Sequence, residues 1–140
     1  MPSYLTIEDV RLALMDRTPA DNPLDMDLSF SDGEIAQAMT RAAREYNSIP
    51  PFVRSVTGAR LPADDNVLLD ATVEQLYIAL AAKLRRNDIE YQAGGVSSAV
   101  DRARIVHLKD MIAEARARWE PRARERKLAA NMAQAFRMYG

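Results

Sequence analysis

Apolar and polar positions follow a helical period along most of the chain, most clearly between residues 68 and 95. Within this stretch, leucine and valine recur at three- and four-residue steps, and alanines fill the same side of the cylinder. A repeat of this kind forms one broad apolar face on an α-helix, and that face has to be buried. The pattern predicts a central helix that packs against at least two neighbours. The residues of its apolar face are Leu69, Val73, Leu76, Leu80 and Leu84, with Ala71, Ala79, Ala81 and Ala82 beside them.

The end of this helix predicts a reversal of the chain. Asn87, Gly94 and Gly95 tolerate positive φ angles, which allow a chain to leave a helix and turn back. Ser98 and Asp101 then suit the start of a further helix. We therefore expect the next helix to run antiparallel to the central one.

Two helices are predicted upstream, each from a capping signal. Thr6 with Asp9 suits the start of a short helix, which has to end before Pro19. Ser31 with Glu34 repeats the signal at the start of a second, longer helix. Its apolar residues also recur at helical spacing, so the first half of the chain adds two helices to the bundle.

The longest non-helical connection covers residues 48–64, after the predicted end of the second helix at Asn47. Phe52, Val56 and Leu61 make it too apolar for a free linker. We expect this loop to be pinned to the helices or extended as a short strand. Loops of this length often carry function.

A fourth helix is predicted after the turn, with a narrow apolar seam facing the central helix. The seam alternates four- and three-residue steps, as in a coiled coil, and would run about 30 Å. Pro121 is expected to end or kink the helix. Beyond it lies a second amphipathic segment. The seam residues are Ile105, Leu108, Ile112, Ala115 and Trp119, and the later segment carries Leu128, Met132, Ala135, Phe136 and Tyr139.

These elements predict an all-α protein with a small antiparallel bundle of about four helices. The bundle is expected to cover residues 1–125, followed by an extended or helical C-terminal arm over residues 126–140. The 140 residues, 48% hydrophobic and 28% charged, fit one domain with a sizeable core. No apolar run approaches the ~20 residues that cross a bilayer, and acids stand where a signal peptide carries positive charge, so we expect a soluble protein.

Charge is distributed unevenly along the chain, although the net charge is only −1. Residues 1–40 hold eight acidic and two basic side chains, a net of −6, whereas residues 101–140 hold ten basic and five acidic ones, a net of +5. Such polarity is often only a solvated surface. It also suits a homo-oligomer in which the acidic end of one copy meets the basic end of the next.

Residues that catalysis or metal binding would need are scarce. The chain has no cysteine, and His107 is its only histidine, which leaves no basis for thiolate chemistry, a zinc site or a histidine-dependent triad. Four acids near the start of the central helix suit the charge pattern of a helix N-terminus better than a catalytic pair. They are Asp64, Asp65, Asp70 and Glu74. The sequence predicts neither an enzyme nor a cofactor or metal site.

A basic run around Trp119 raises the question of nucleic-acid binding, because its side chains could meet phosphates. Acidic residues interleave with the run, however, and the pI of about 5.9 is far below the value usual for such modules. The basic residues are Arg116, Arg118, Arg122, Arg124, Arg126 and Lys127.

Five features distributed over nearly the whole chain form a recognisable combination. They are YLTIEDVRLALMDRTPADN near the start, Glu45-Tyr46-Asn47 followed by Pro50-Pro51, RRNDIEYQAGG after the central helix, a long basic helix, and NMAQAFRMYG at the end. Together they resemble the head-to-tail connector (neck adaptor) proteins of tailed bacteriophages. The resemblance implies a helical, non-enzymatic virion structural protein without a cofactor.

According to this resemblance, about twelve copies form a ring between the portal protein and a downstream neck or tail protein. DNA would pass through the lumen, and the protein would occupy the virion neck after assembly in the host cytoplasm, without membrane contact. The arm of such adaptors docks on the portal. Carried over, portal docking falls to Asn131, Met132, Phe136, Arg137, Met138, Tyr139 and Gly140.

Contacts to a neighbouring copy or to the tail are assigned to the loop over residues 50–62 and the turn over residues 87–95. The assigned side chains are Pro50, Pro51, Phe52, Arg54, Arg60, Arg86, Asn87 and Tyr91. The alternative function is a DNA-binding packaging accessory protein, similar to a small terminase subunit. It would place a helix-turn-helix near residues 6–47, and the acidity of that region argues against it.

Overall fold

The computed structural model describes residues 4–14, 30–52, 55–63, 66–93 and 99–139. These residues are almost entirely helical, and the only β-type pairing among them is an isolated bridge between Tyr4 and Pro62. The predicted all-α bundle of about four helices is confirmed. Its elements are α1 (Ile7–Leu14), α2 (Asp32–Ser48), a 3-10 turn (Gly58–Arg60), α3 (Val67–Ala93) and α4 (Ala99–Tyr139).

Both predicted capping signals start helices. At α1 the Thr6 backbone N–H donates to the Asp9 carboxylate at 2.9 Å, and the Asp9 N–H donates to Thr6 Oγ1 at 3.2 Å. At α2 the Glu34 N–H donates to Ser31 Oγ at 3.2 Å. Each bond satisfies a backbone donor that the first helical turn leaves without a partner.

The central helix is α3, which contacts α1, α2 and α4. Its fully buried apolar residues include Leu68, Ala71 and Leu76. Of the predicted apolar face, Val73 and Ala81 are also buried, whereas Ala79 and Ala82 are exposed. The core cluster joins α3 to Val10 of α1, to Ile35, Ala42 and Tyr46 of α2, and to Trp119 and Ala123 of α4.

As expected, α4 runs antiparallel to α3, and its predicted seam faces the core. Leu108, Ala115 and Trp119 are buried. Pro121 was expected to end or kink the helix. The helix does not end there, because Pro121 lies inside a helix of 41 residues. Proline removes a backbone hydrogen bond and crowds the preceding turn. Here the flanking residues Trp119 and Ala123 are both fully buried, so packing on either side of Pro121 offsets that loss.

Candidate docking surface

The final part of α4 extends beyond the core of the bundle. All side chains from residue 128 to residue 138 are exposed, and we call residues 128–138 the projecting segment. Leu128 and Met132 are 54% and 51% exposed, and Phe136 and Met138 are 72% and 74% exposed. The first three follow one another at four-residue steps and therefore share a helix face. Several large apolar side chains exposed side by side mark an interaction surface.

Most side chains assigned to portal docking lie in this segment. Met132, Phe136 and Met138 are exposed, as a docking role requires, and so are the polar Asn131 and Arg137. The side chain of Tyr139 and the whole of Gly140 lie outside the described residues. The structure therefore brings five of the seven assigned positions onto one helical element.

The projecting segment begins directly after Lys127, whose side chain is only 2% exposed. The Lys127 ammonium donates to the backbone carbonyl of Tyr46 and, at 2.6 Å, to that of Ile49, and it lies 4.5 Å from the centre of the Tyr46 ring. These carbonyls belong to the C-terminal end of α2, where acceptors lack helical partners and carry partial negative charge. Lys127 thus ties the root of the projecting segment to the end of α2.

Burial has two consequences at Lys127. Removing the ammonium from water lowers the pKa of Lys127. The side chain also makes this residue part of the bundle core, two positions beyond the predicted boundary at residue 125. That boundary falls inside a continuous helix, and the last core contact of α4 is at Lys127.

A second buried polar contact fixes the preceding part of α4 to α3. The Glu74 carboxylate is 1% exposed and accepts a hydrogen bond from the Trp119 indole N–H. It also accepts from Arg116 Nη1 at 3.2 Å, and the Arg116 guanidinium stands 5.9 Å from the centre of the Trp119 ring. A buried charge costs little when it is paired in this way and a great deal when one partner is removed. The contact therefore fixes the register between α3 and α4.

The basic run proposed for nucleic-acid contact is engaged within the subunit. Arg116 and Arg124 both donate to the Glu120 carboxylate, at 2.8 and 2.9 Å, and these bonds, that of Arg124 above all, lower the pKa of Glu120. The Nε atom of Arg118 lies 3.9 Å from Oδ1 of Asp70. The two other exposed or half-buried arginines of the run also have partners, and Lys127 is buried. Little of this charge is left for phosphates.

The loop after α2 is pinned to the bundle, as predicted. The Asn47 side chain donates to the Val56 carbonyl at 2.8 Å and accepts from the Val56 N–H at 2.9 Å. At Gly58 the backbone passes so close to α2 that an added Cβ would stand 2.8 Å from the Cα of Thr40. Phe52, in contrast, is 77% exposed directly after the cis Pro50-Pro51 peptide.

A groove of about 500 Å³ joins this loop to the root of the projecting segment. Tyr4, Val56 and Arg60 line one part of it, and Arg126 and Ala130 of α4 line another. The structure therefore brings the loop predicted to contact a neighbour or the tail beside the segment predicted to dock on the portal.

The remaining positions assigned to neighbour or tail contact are spread over other elements. Arg86 lines a different groove, of about 540 Å³, between α2 and α3. Arg54 and the side chains of Asn87 and Tyr91 lie outside the described residues. No common cluster of the loop and the turn is seen within the part of the chain that the structure describes.

Sequence patterns missed three buried charged residues that shape this surface. They are Lys127, Glu74 and Arg11, the last of which pairs with Asp32 at 2.6 Å. The sequence patterns predict burial for none of them. The available signal was position: Lys127 follows Ala123 by four residues, and Glu74 falls in the middle of the apolar run of α3.

Among the residues that the structure describes, no three His, Cys, Asp or Glu side chains come together as a metal site. None of the helices found there has the length and apolarity to cross a membrane. Compared with known proteins, the chain matches no family model, no curated protein and no solved structure.

Proposed function

We propose that this chain is a non-enzymatic structural protein of the tailed-phage neck, which forms a ring and connects the portal to the next neck or tail protein. The observation that carries the proposal is the projecting segment. A bundle whose core ends at Lys127 has no use for Leu128, Met132 and Phe136 in its own folding. An external partner gives these side chains a role.

Docking of the segment follows the helix-in-groove mode, in which one apolar helix face enters a hydrophobic groove. Leu128, Met132 and Phe136 supply side chains at four-residue steps. Anchors of this kind typically contribute about 2 kcal/mol or more each when they are buried in a partner. Because the segment already continues α4 as a helix, docking on the portal avoids much of the entropic cost of ordering a free peptide.

Contacts between ring neighbours are supported by the polarity of the chain. Exposed acids at the start of α1 and α2, among them Glu8, Asp9 and Glu34, belong to the acidic end of the molecule. The exposed Phe52 supplies an apolar part of the contact. Charge contacts of this kind are screened over roughly 8 Å at physiological ionic strength, so ring contacts weaken as salt rises.

Deletion of residues 131–140 tests the docking role. We expect the deleted protein to remain folded and to lose attachment to the purified portal, measured by co-sedimentation and negative-stain microscopy. Phe136→Ala should weaken attachment at least tenfold, whereas Gln134→Ala, an exposed polar position in the same segment, should leave it unchanged. Full attachment of the deleted protein contradicts the proposal.

The same deletion separates this function from the DNA-binding alternative. Residues 116–127 survive the deletion, so a DNA-binding protein would keep its affinity and a steep dependence on salt. The intramolecular partners of Arg116 and Arg124 favour the connector, because both guanidinium groups are held by Glu120.

A further inference from the structure

The outer side of α4 carries a second apolar seam, on the face opposite to the one that packs on α3. Its residues succeed one another mostly at three-, four- and seven-residue steps, which keeps them on one side of the helix. All of them are exposed. They are Ala103, Val106, Ala113, Ala117, Pro121, Leu128, Met132 and Ala135.

The seam changes in size along its length. Its first half carries mainly small residues. Ala113, Ala117 and Pro121 line a shallow, mostly apolar hollow of about 440 Å³, whose other lining residues are Arg116, Glu120 and Arg124. Its second half, the projecting segment, carries the large residues Leu128 and Met132. A surface with a hollow at one end and knobs at the other is complementary to a reversed copy of itself.

We propose that two copies of this chain pair in an antiparallel manner through the outer face of α4, about a two-fold axis close to Pro121. In this register Leu128 of one copy covers the hollow at Ala113 and Ala117 of the other, and Phe136 reaches the exposed Val106. The two bundles lie on opposite sides of the helix pair, because the outer face points away from α3. This pairing does not rest on portal docking.

Two charged residues beside the outer seam support the same antiparallel register. Glu125 is exposed and has no hydrogen bond or ion pair with any described residue, and Arg118 is exposed and makes only a long contact of 3.9 Å to Asp70. Both flank the outer seam on the same side. With the axis near Pro121, Arg118 of each copy stands opposite Glu125 of the other, so the pairing forms two equivalent ion pairs.

The size of the contact makes the dimer a weak one. A helix about 10 Å across that is covered along about 50 Å contributes roughly 500 Å², so two copies bury about 1,000 Å², the lower limit for a specific interface. Because Leu128, Met132 and Phe136 are covered in the dimer, a paired subunit cannot use them for another partner. In the dimer, the apolar side chains of the projecting segment are therefore shielded from water.

Sedimentation velocity of the purified chain tests the pairing, from about 1 µM to about 200 µM, a range that suits weak interfaces. We expect a reversible monomer–dimer equilibrium. Ala117→Glu should weaken it at least tenfold, and Ala36→Glu, on the exposed side of α2, should leave it unchanged. A chain that stays monomeric, that forms only larger rings, or that responds equally to both variants overturns the inference.

Introduced cysteines test the register, because the natural chain has none. A Pro121→Cys protein should form a disulfide-linked dimer under mild oxidation, since the two thiols meet at the axis. Phe136→Cys should not, because Phe136 faces residue 107 of the other copy. An exposed Ala36→Cys serves as the control for random collisions. Linkage at residue 136 with none at residue 121 overturns the antiparallel register.

The antiparallel pairing and the portal docking can be disproved independently. Ala117→Glu lies outside the projecting segment, so it should abolish the dimer and leave portal attachment intact. Phe136→Ala should weaken both. A dimer retained in Ala117→Glu, with portal attachment unchanged, overturns the pairing and leaves the docking proposal standing.

Discussion

The two parts of α4 differ in what surrounds them although they belong to one helix. From residue 99 to Lys127 the helix lies on α3, and its buried polar groups have partners in α2 and α3. From residue 128 to residue 138 the same kind of amphipathic pattern continues with every side chain exposed. Periodicity alone does not separate a core face from a docking face. The difference is whether the chain itself provides the opposite surface.

The projecting segment is helical because it continues the part of α4 that packs on the bundle, residues 99–127. A free peptide of this length is marginal as a helix, because the first turn is costly to form. In α4 that turn is already formed and packed, so each further residue adds one hydrogen bond to an existing helix. The backbone of the projecting segment is therefore helical without a partner surface.

The sharpest contrast between the two parts is that between their aromatic residues. Trp119 is fully buried and donates to Glu74, whereas Phe136 is 72% exposed. Trp119→Ala should reduce the free energy of unfolding by about 3 to 5 kcal/mol, because it leaves a cavity and removes a partner of a buried carboxylate. Phe136→Ala should change it by less than about 0.5 kcal/mol. Urea unfolding followed by circular dichroism measures both, and equal losses would contradict the division of α4.

Local signals in the sequence were sufficient to predict most helix starts and the seam of α4 that faces α3. The capping pairs at Thr6 and Ser31 act within four residues, so the sequence contains everything they need. The seam of α4 is likewise set by spacing alone. The end of α2 was predicted to within one residue, because the prolines after Ile49 cannot continue a helix.

Features that depend on another element were missed. Pro121 should end a helix by its local chemistry, and only packing of its neighbours on the core allows the helix to continue. Lys127 was placed on a solvated face, because nothing near it in sequence indicates that the end of α2 supplies two carbonyls. The arm was predicted from residue 126 onward, but the residue at which burial ends could not be predicted, since it depends on where α3 begins and α2 ends beside α4.

Removal of the Lys127 ammonium should have the second-largest effect on the free energy of unfolding. Lys127→Met keeps the apolar stem but leaves the carbonyls of Tyr46 and Ile49 without this donor. The unfolding free energy should fall by about 1 to 3 kcal/mol, the usual cost of an unmade buried hydrogen bond. Lys109→Met applies the same change at an exposed position of α4 and should be nearly neutral. Urea unfolding of both variants provides the measurement, and a neutral Lys127→Met would show that the root of the segment is not fixed there.

The smallest effect on folding is expected from removal of the C-terminal end of the projecting segment. Deletion of residues 131–140 removes only exposed side chains among the described residues and leaves three residues, almost one helical turn, beyond Lys127. The unfolding free energy should change by less than about 0.5 kcal/mol, although the helical signal in circular dichroism falls with the lost residues. The measurement belongs at low micromolar concentration, where self-association adds nothing to apparent stability.

A longer deletion, which begins before Lys127 in the part of α4 that packs on the bundle, is the control. Deletion of residues 122–140 also removes Ala123 and Lys127, which are buried, and takes the donor away from the end of α2. This shorter protein should lose several kcal/mol, since a cavity is created and the carbonyls of Tyr46 and Ile49 lose a charged donor together. If both deletions destabilise the chain equally, the projecting segment packs on the bundle and is part of its core. If only the longer deletion does so, folding ends at Lys127, and the apolar face beyond it remains available for a second surface.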